Sequence, residues 1–127
     1  MNNINEINPA EGKGTLSFLL KDKEDNVLRD SYILISPENS KSKNLTLGHT
    51  ILYPHCRANG HSHDDREEIY YVIKGRGKML IGNDEFEACS GDAFYIDFGL
   101  FHSTVNTSNI PMEIIWGTAP KRQGQDR

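Results

Sequence analysis

A chain of 127 residues, 36% hydrophobic and 25% charged, is sized and composed for one globular domain with a buried core. A formal net charge of −4 and a pI of about 5.7 argue against a nucleic-acid partner, which would select a basic surface. No apolar run reaches the roughly 18 residues of a membrane span, and the start lacks the basic and apolar regions of a signal peptide, so a cytoplasmic protein that binds no membrane is expected.

The chain divides into short apolar runs separated by turn residues. Thr15–Leu20 is the first predicted strand, followed by a charged turn at Lys21–Asn26. Tyr32–Ser36 is the second, and Pro37–Asn44 is a polar loop. Leu45–Tyr53 is the third, stopped by Pro54. Ile69–Ile73, Lys78–Ile81, Ala93–Ile96, His102–Val105 and Met112–Trp116 complete the series. Gly82-Asn83 lies near the tip of a hairpin turn over Ile81–Phe86. The runs are rich in β-branched and aromatic residues, and no stretch carries a 3.6-residue period. An all-β sandwich or barrel follows, with at most one short N-terminal helix. The two cysteines, Cys56 and Cys89, form no CxxC pattern and read as small apolar fillers.

Two clusters carry chemistry. The first contains His61, His63 and Glu68; the second ends in His102, behind a Gly91-Asp92 turn. Alternate residues of a strand share a face, so His61 and His63 can point into a barrel together. Glu68, Tyr70 and Val72 share a face on the next strand, and His102, Thr104 and Asn106 on a later one. Three imidazoles and a carboxylate are a full protein ligand set for one divalent transition metal, such as Zn, Ni, Mn or Fe.

With these residues the chain resembles the cupin superfamily. Its first motif, G-x5-HxH-x4-E-x6-G, is matched by His61, His63, Glu68 and Gly75, with His55 where the leading glycine would stand. Its second motif, G-x5-P-x-G-x2-H-x3-N, is matched by Gly91, Gly99, His102 and Asn106, with Asp97 at the proline position. The resemblance implies a small single-domain cupin, a double-sheet jelly-roll barrel with its site in the mouth. One cupin domain over residues 1–127 is expected. Its barrel would span about 13–118, flanked by an N-terminal segment 1–12 and a tail 119–127. The metal ligands implied are His61, His63, Glu68 and His102.

Two further residues are catalytic candidates. Tyr70 shares the Glu68 face and could move a proton near the metal, or simply pack as a core aromatic. His49 could supply a proton or a substrate contact from an opposing sheet; its plainer reading is a satisfied or exposed side chain. Arg57 and Arg76 are candidate cations for a substrate anion. Phe94, Phe98, Phe101, Ile114 and Trp116 would supply apolar wall. The expected function is a metal-dependent isomerase or lyase acting on a small polar substrate such as a sugar or organic acid. The alternatives are an Fe(II) dioxygenase and a non-catalytic binding or sensor module. The apolar strand candidates Leu16–Leu20 and Tyr32–Ile35 predict a two-fold homodimer.

Overall fold

The structure, a computed structural model, describes residues 29–58 and 60–120. The predicted strand Thr15–Leu20 and the optional N-terminal helix lie outside those residues. Within them the chain is all-β: β1 (Arg29–Ile35), β2 (Thr46–Leu52), β3 (Arg66–Lys74), β4 (Arg76–Ile81), β5 (Asp84–Cys89), β6 (Ala93–Ile96), β7 (His102–Asn106) and β8 (Met112–Pro120). They form two antiparallel sheets, one ordered β1-β2-β8-β3-β6 and the other β5-β4-β7. This is the expected jelly roll. No helix among the described residues is long and apolar enough to cross a membrane.

Alternation sets the two faces of each sheet. On β3, Glu68 and Val72 are buried while Ile69, Tyr71 and Ile73 are exposed. On β7, His102, Thr104 and Asn106 are buried. Leu52, Cys56, Val72, Met79, Ala88, Met112 and Ile114 form the core between the sheets, with Tyr53, Tyr70, Ile81 and Phe94 packed against it. Cys56 is therefore the expected filler. Cys89 is not: it is exposed at the end of β5, whose inward position is taken by Ala88.

The β4–β5 hairpin turns through Gly82-Asn83, between the paired residues Ile81 and Asp84, with Gly82 at φ 60°. At the end of β7, the buried Asn106 donates its amide to the carbonyls of Leu52 (2.9 Å) and Ile110 (2.8 Å). Its carbonyl oxygen accepts from the Ser108 N–H at 2.9 Å. The asparagine of the second motif thus ties the end of β2 to the β7–β8 loop.

His55, at the position of the motif glycine, has φ 59°, the left-handed region that glycine enters freely. Its ring meets Asn109 Oδ1 at 2.6 Å on the surface. Two variants test the strain. His55→Gly relieves the backbone but loses that contact and gains unfolded-state freedom, so its stability should stay level or rise by up to about 1 kcal/mol. His55→Val puts a β-branched residue in the same backbone and should lose more than about 1 kcal/mol. Denaturant melts check the order, and equal midpoints for the two variants would remove the strain argument.

Candidate metal centre

The stretch between β2 and β3 is not a regular strand. It runs beside β7 through isolated bridges, Arg57 to Val105 and His61 to His102. The His61 N–H donates to the His102 carbonyl at 3.1 Å and the His102 N–H returns to the His61 carbonyl at 2.9 Å. Two residues on, the His63 carbonyl accepts from the Gly99 N–H at 2.7 Å. Backbone pairing therefore fixes His61 and His63 against the start of β7. Asp97, where the motif has proline, shapes the turn before β7 by accepting from the Phe98 N–H at 2.8 Å.

The nitrogen and oxygen atoms of His61, His63, Glu68 and His102 that could bind a metal all lie within 4.8 Å of one another. His63 Nε2 is 3.2 Å and His102 Nε2 3.5 Å from Glu68 Oε1. The His61 ring stands edge-on to His102 at 4.3 Å between centroids. His102 is the telling member. Its Nδ1 lies 3.1 Å from the Leu100 carbonyl, which can only accept, so Nδ1 carries the hydrogen. In the neutral ring Nε2 is then a bare lone pair. Among the described residues that buried atom has no hydrogen-bond partner, with the Glu68 carboxylate oxygen standing off at 3.5 Å, an arrangement that is costly unless something binds it. A metal-binding histidine needs this tautomer, fixed from behind by a carbonyl. The donor set, three imidazole nitrogens and one carboxylate, could hold a divalent transition metal.

The electrostatics agree. Burial lowers the His61 pKa below its ordinary 6.5, and His102 and His63 add to the effect. Burial likewise lowers His63, with Glu68 opposing. Burial works against the Glu68 carboxylate, but the surrounding imidazoles, His102 foremost, outweigh it and hold its pKa below the ordinary 4.5. His61, His63 and Glu68 are thus held in their metal-binding protonation states at neutral pH. The same shifts make the metal-free fold acid-sensitive. Below about pH 6.5 the unfolded chain takes up protons on His61 and His63 that the folded chain resists. Stability therefore falls as pH drops through 6.5. Glu68 adds to the loss below about pH 4.5, as pH falls towards its lowered folded value. Thermal melts of chelator-treated protein should be flat above pH 7 and decline below 6.5; a melting temperature that rises from pH 6.5 to 5 would contradict this assignment.

Tyr70 lies beside the cluster, its ring edge-on to His102 at 5.7 Å. Burial raises its pKa, and the Glu68 carboxylate, with which its hydroxyl interacts, raises it further. The group is therefore a protonated donor at neutral pH. His49 is not brought to the site. It lies on β2 of the same sheet as Glu68, not on an opposing one. Its register partner Ile115 alternates with Trp116 on β8, and Trp116 shares the Tyr70 face. The imidazole is on the outer face, 3.0 Å from Glu113 Oε1. Arg57 shares the outward face of Val105, and Arg76 is exposed on β4. Among the described residues two cations act on the site: Arg66, within the first motif, whose charge lowers the His63 pKa, and Arg29, which a reading of the sequence misses because it is far from both motifs. Arg29 pairs in register with the buried Leu52, and its charge lowers the pKa of both His61 and Tyr70. An open groove of about 1230 Å³ includes Glu68 in its lining, with Thr46 and Thr118 beside it. These two threonines align with Glu68 across β2, β8 and β3.

A cupin-domain family model matches residues 48–118, a span that holds all four clustered residues. The chain belongs to the cupin family. This cupin is 31% identical over 104 residues to an uncharacterised protein of Methanocaldococcus jannaschii, covering 82% of this chain and 81% of that one. It is 35% identical over 117 residues to a glucose-6-phosphate isomerase of Thermococcus kodakarensis. That match covers 82% of this cupin but only 60% of the isomerase. A solved structure from Thermotoga maritima, described as a predicted oxalate decarboxylase, is 22% identical. It superposes with a TM-score of 0.76, covering 95% of this chain and 99% of that one, and shows the shared fold.

Proposed function

We propose that this cupin is a metal-dependent isomerase acting on a small anionic sugar, with His61, His63, Glu68 and His102 holding one divalent transition metal. The observation that carries the reading is the buried, partnerless Nε2 of His102 facing Glu68. The similarity to a glucose-6-phosphate isomerase over 82% of this chain supports the substrate class. Arg29, whose charge reaches His61 and Tyr70, supports an anionic ligand. When bound, the metal supplies Lewis-acid polarisation of a substrate oxygen. Glu68 and the three imidazoles orient and hold it. The Tyr70 hydroxyl, kept protonated by burial and by Glu68, can turn its one hydrogen from the Glu68 carboxylate to a substrate oxygen.

The test is elemental analysis of protein purified without chelator, followed by an assay for interconversion of glucose 6-phosphate and fructose 6-phosphate. About one metal per chain, with turnover abolished by chelator and restored by metal, is the expected result. Iron with substrate-dependent oxygen uptake would replace this reading by the oxygenase one. Metal without turnover on any sugar phosphate would leave a binding module.

A homodimer belongs to the same proposal. Among the described residues β1 is an edge strand of the five-stranded sheet, and the outer face of that sheet exposes Ile69, Tyr71 and Tyr95. Edges and apolar faces of this kind are what a two-fold interface covers. Light scattering at micromolar concentration should give twice the 14.4 kDa chain mass, and a monomer would count against it.

A further inference from the structure

Trp116 is the single tryptophan of the chain. It sits on β8 directly opposite Tyr70 of β3 on one side and Gly48 of β2 on the other. Residues paired this way share a face with their side chains adjacent, so the indole lies on the same inner wall as Glu68 and Tyr70. Its position is unusually well fixed. A Cβ placed on Gly48 would fall 2.0 Å from Trp116 Cζ2 and 2.1 Å from Cε2, so the ring lies against the bare Gly48 backbone. The indole N–H donates to Thr50 Oγ1 at 2.9 Å. Thr50 Oγ1 is in turn 3.1 Å from Ser31 Oγ. Three neighbouring strands thus cooperate to hold one ring. The ring is only partly buried and is not among the core residues that pack around Leu52.

We propose that Trp116, laid against Gly48 and held by Thr50 and Ser31, is the stacking wall of the metal site and takes the carbon face of a sugar-type ligand. With one side of the ring on Gly48, the other looks into the barrel beside Tyr70. The face of an indole carries negative charge density. It attracts the weakly positive C–H face of a polyhydroxylated carbon chain. It offers nothing to a planar dianion such as oxalate, which has no C–H group and is repelled by the ring face. Trp116 therefore selects for sugars over small dicarboxylates that the metal alone could bind. The inference rests on the metal-site reading above and adds the residue that discriminates among its ligands.

The single tryptophan makes its own probe. Zinc has a filled d shell and no redox chemistry, so zinc-loaded protein suits the experiment. Glucose 6-phosphate and oxalate are titrated in parallel by calorimetry and by tryptophan fluorescence. Glucose 6-phosphate should change the emission saturably, with the same midpoint as calorimetry. Trp116→Leu should weaken its binding roughly two- to tenfold, about the change expected on losing an aromatic contact, while zinc content stays at wild type and oxalate affinity moves little. Thr50→Val keeps the ring but removes its hydrogen-bond partner; it should weaken the sugar phosphate by a smaller factor and decides the matter if Trp116→Leu does not fold. Calorimetric binding of glucose 6-phosphate with unchanged emission, and with wild-type affinity in the variants, would overturn the stacking role and leave the metal site standing. No binding of glucose 6-phosphate to protein that retains zinc would overturn the stacking role together with the sugar reading. Failure of the wild type to hold zinc would strike at the metal reading itself.

Discussion

Replacing His61 and His63 by alanine together should lower the metal content from about one per chain to near zero. The two residues are half of the donor set, and their loss leaves Glu68 and His102 with too few ligands to compete with water for a divalent ion. Neither imidazole belongs to the hydrophobic core, which gathers around Leu52, Val72 and Met112. The backbone bridge between residues 61 and 102 uses main-chain atoms and survives both changes. The double variant should therefore fold, with a β-type circular dichroism spectrum, and bind no metal. Turnover should vanish with it. Stoichiometric metal in the folded double variant would refute the assignment of the ligand set.

Tyr70→Phe should cut turnover roughly 10²–10³-fold, the range for loss of one positioned hydrogen-bond donor to the reacting substrate. The substitution removes one hydroxyl and keeps the ring that packs against the core and stands edge-on to His102. Metal content should be unchanged because no ligand is touched. The melting temperature should move little, since the lost contact is one hydrogen-bonding interaction with Glu68. A variant with full activity would reduce Tyr70 to a packing aromatic. A variant that loses its metal would mean that Tyr70 acts by orienting Glu68.

Much of this architecture was readable from the chain, for identifiable reasons. Ala93–Ile96 is bounded by turn residues on both sides, and β6 has those limits. β5 passed unread because Asp-Glu-Phe-Glu-Ala-Cys is mostly charged. Among the described residues it is an edge strand with Ala88 as its buried residue, so it needs almost no hydrophobic pattern. β8 runs to Pro120, beyond the predicted Trp116, because Gly117–Pro120 hold their place by pairing with β3 rather than by propensity. The four clustered residues were legible because two motifs specify their spacing. The shared facing expected of His61 and His63 needs no regular strand, since bridges to β7 deliver the same alternation. The facing of His49 was beyond the sequence: a one-residue change in register moves a side chain to the other face, and nothing local fixes it. Arg29 and the Gly48–Trp116 pair became visible only through pairings across β1, β2 and β8.

The cluster draws on both sheets. Glu68 comes from β3 in the five-stranded sheet, His102 from β7 in the three-stranded sheet, and His61 and His63 from the β2–β3 stretch that bridges to β7. A metal on these four residues would be a cross-link as well as a reagent. It would tie together points about thirty to forty residues apart in the chain, and closing a loop of that order restricts the unfolded ensemble by roughly 3–5 kcal/mol in the chain-entropy model of cross-links. A domain of this size has a total stability of only about 5–15 kcal/mol. Metal supply would then govern how long the protein survives as well as whether it works. A copy that loses its ion would open more often between the sheets, and proteolysis would clear the empty protein first.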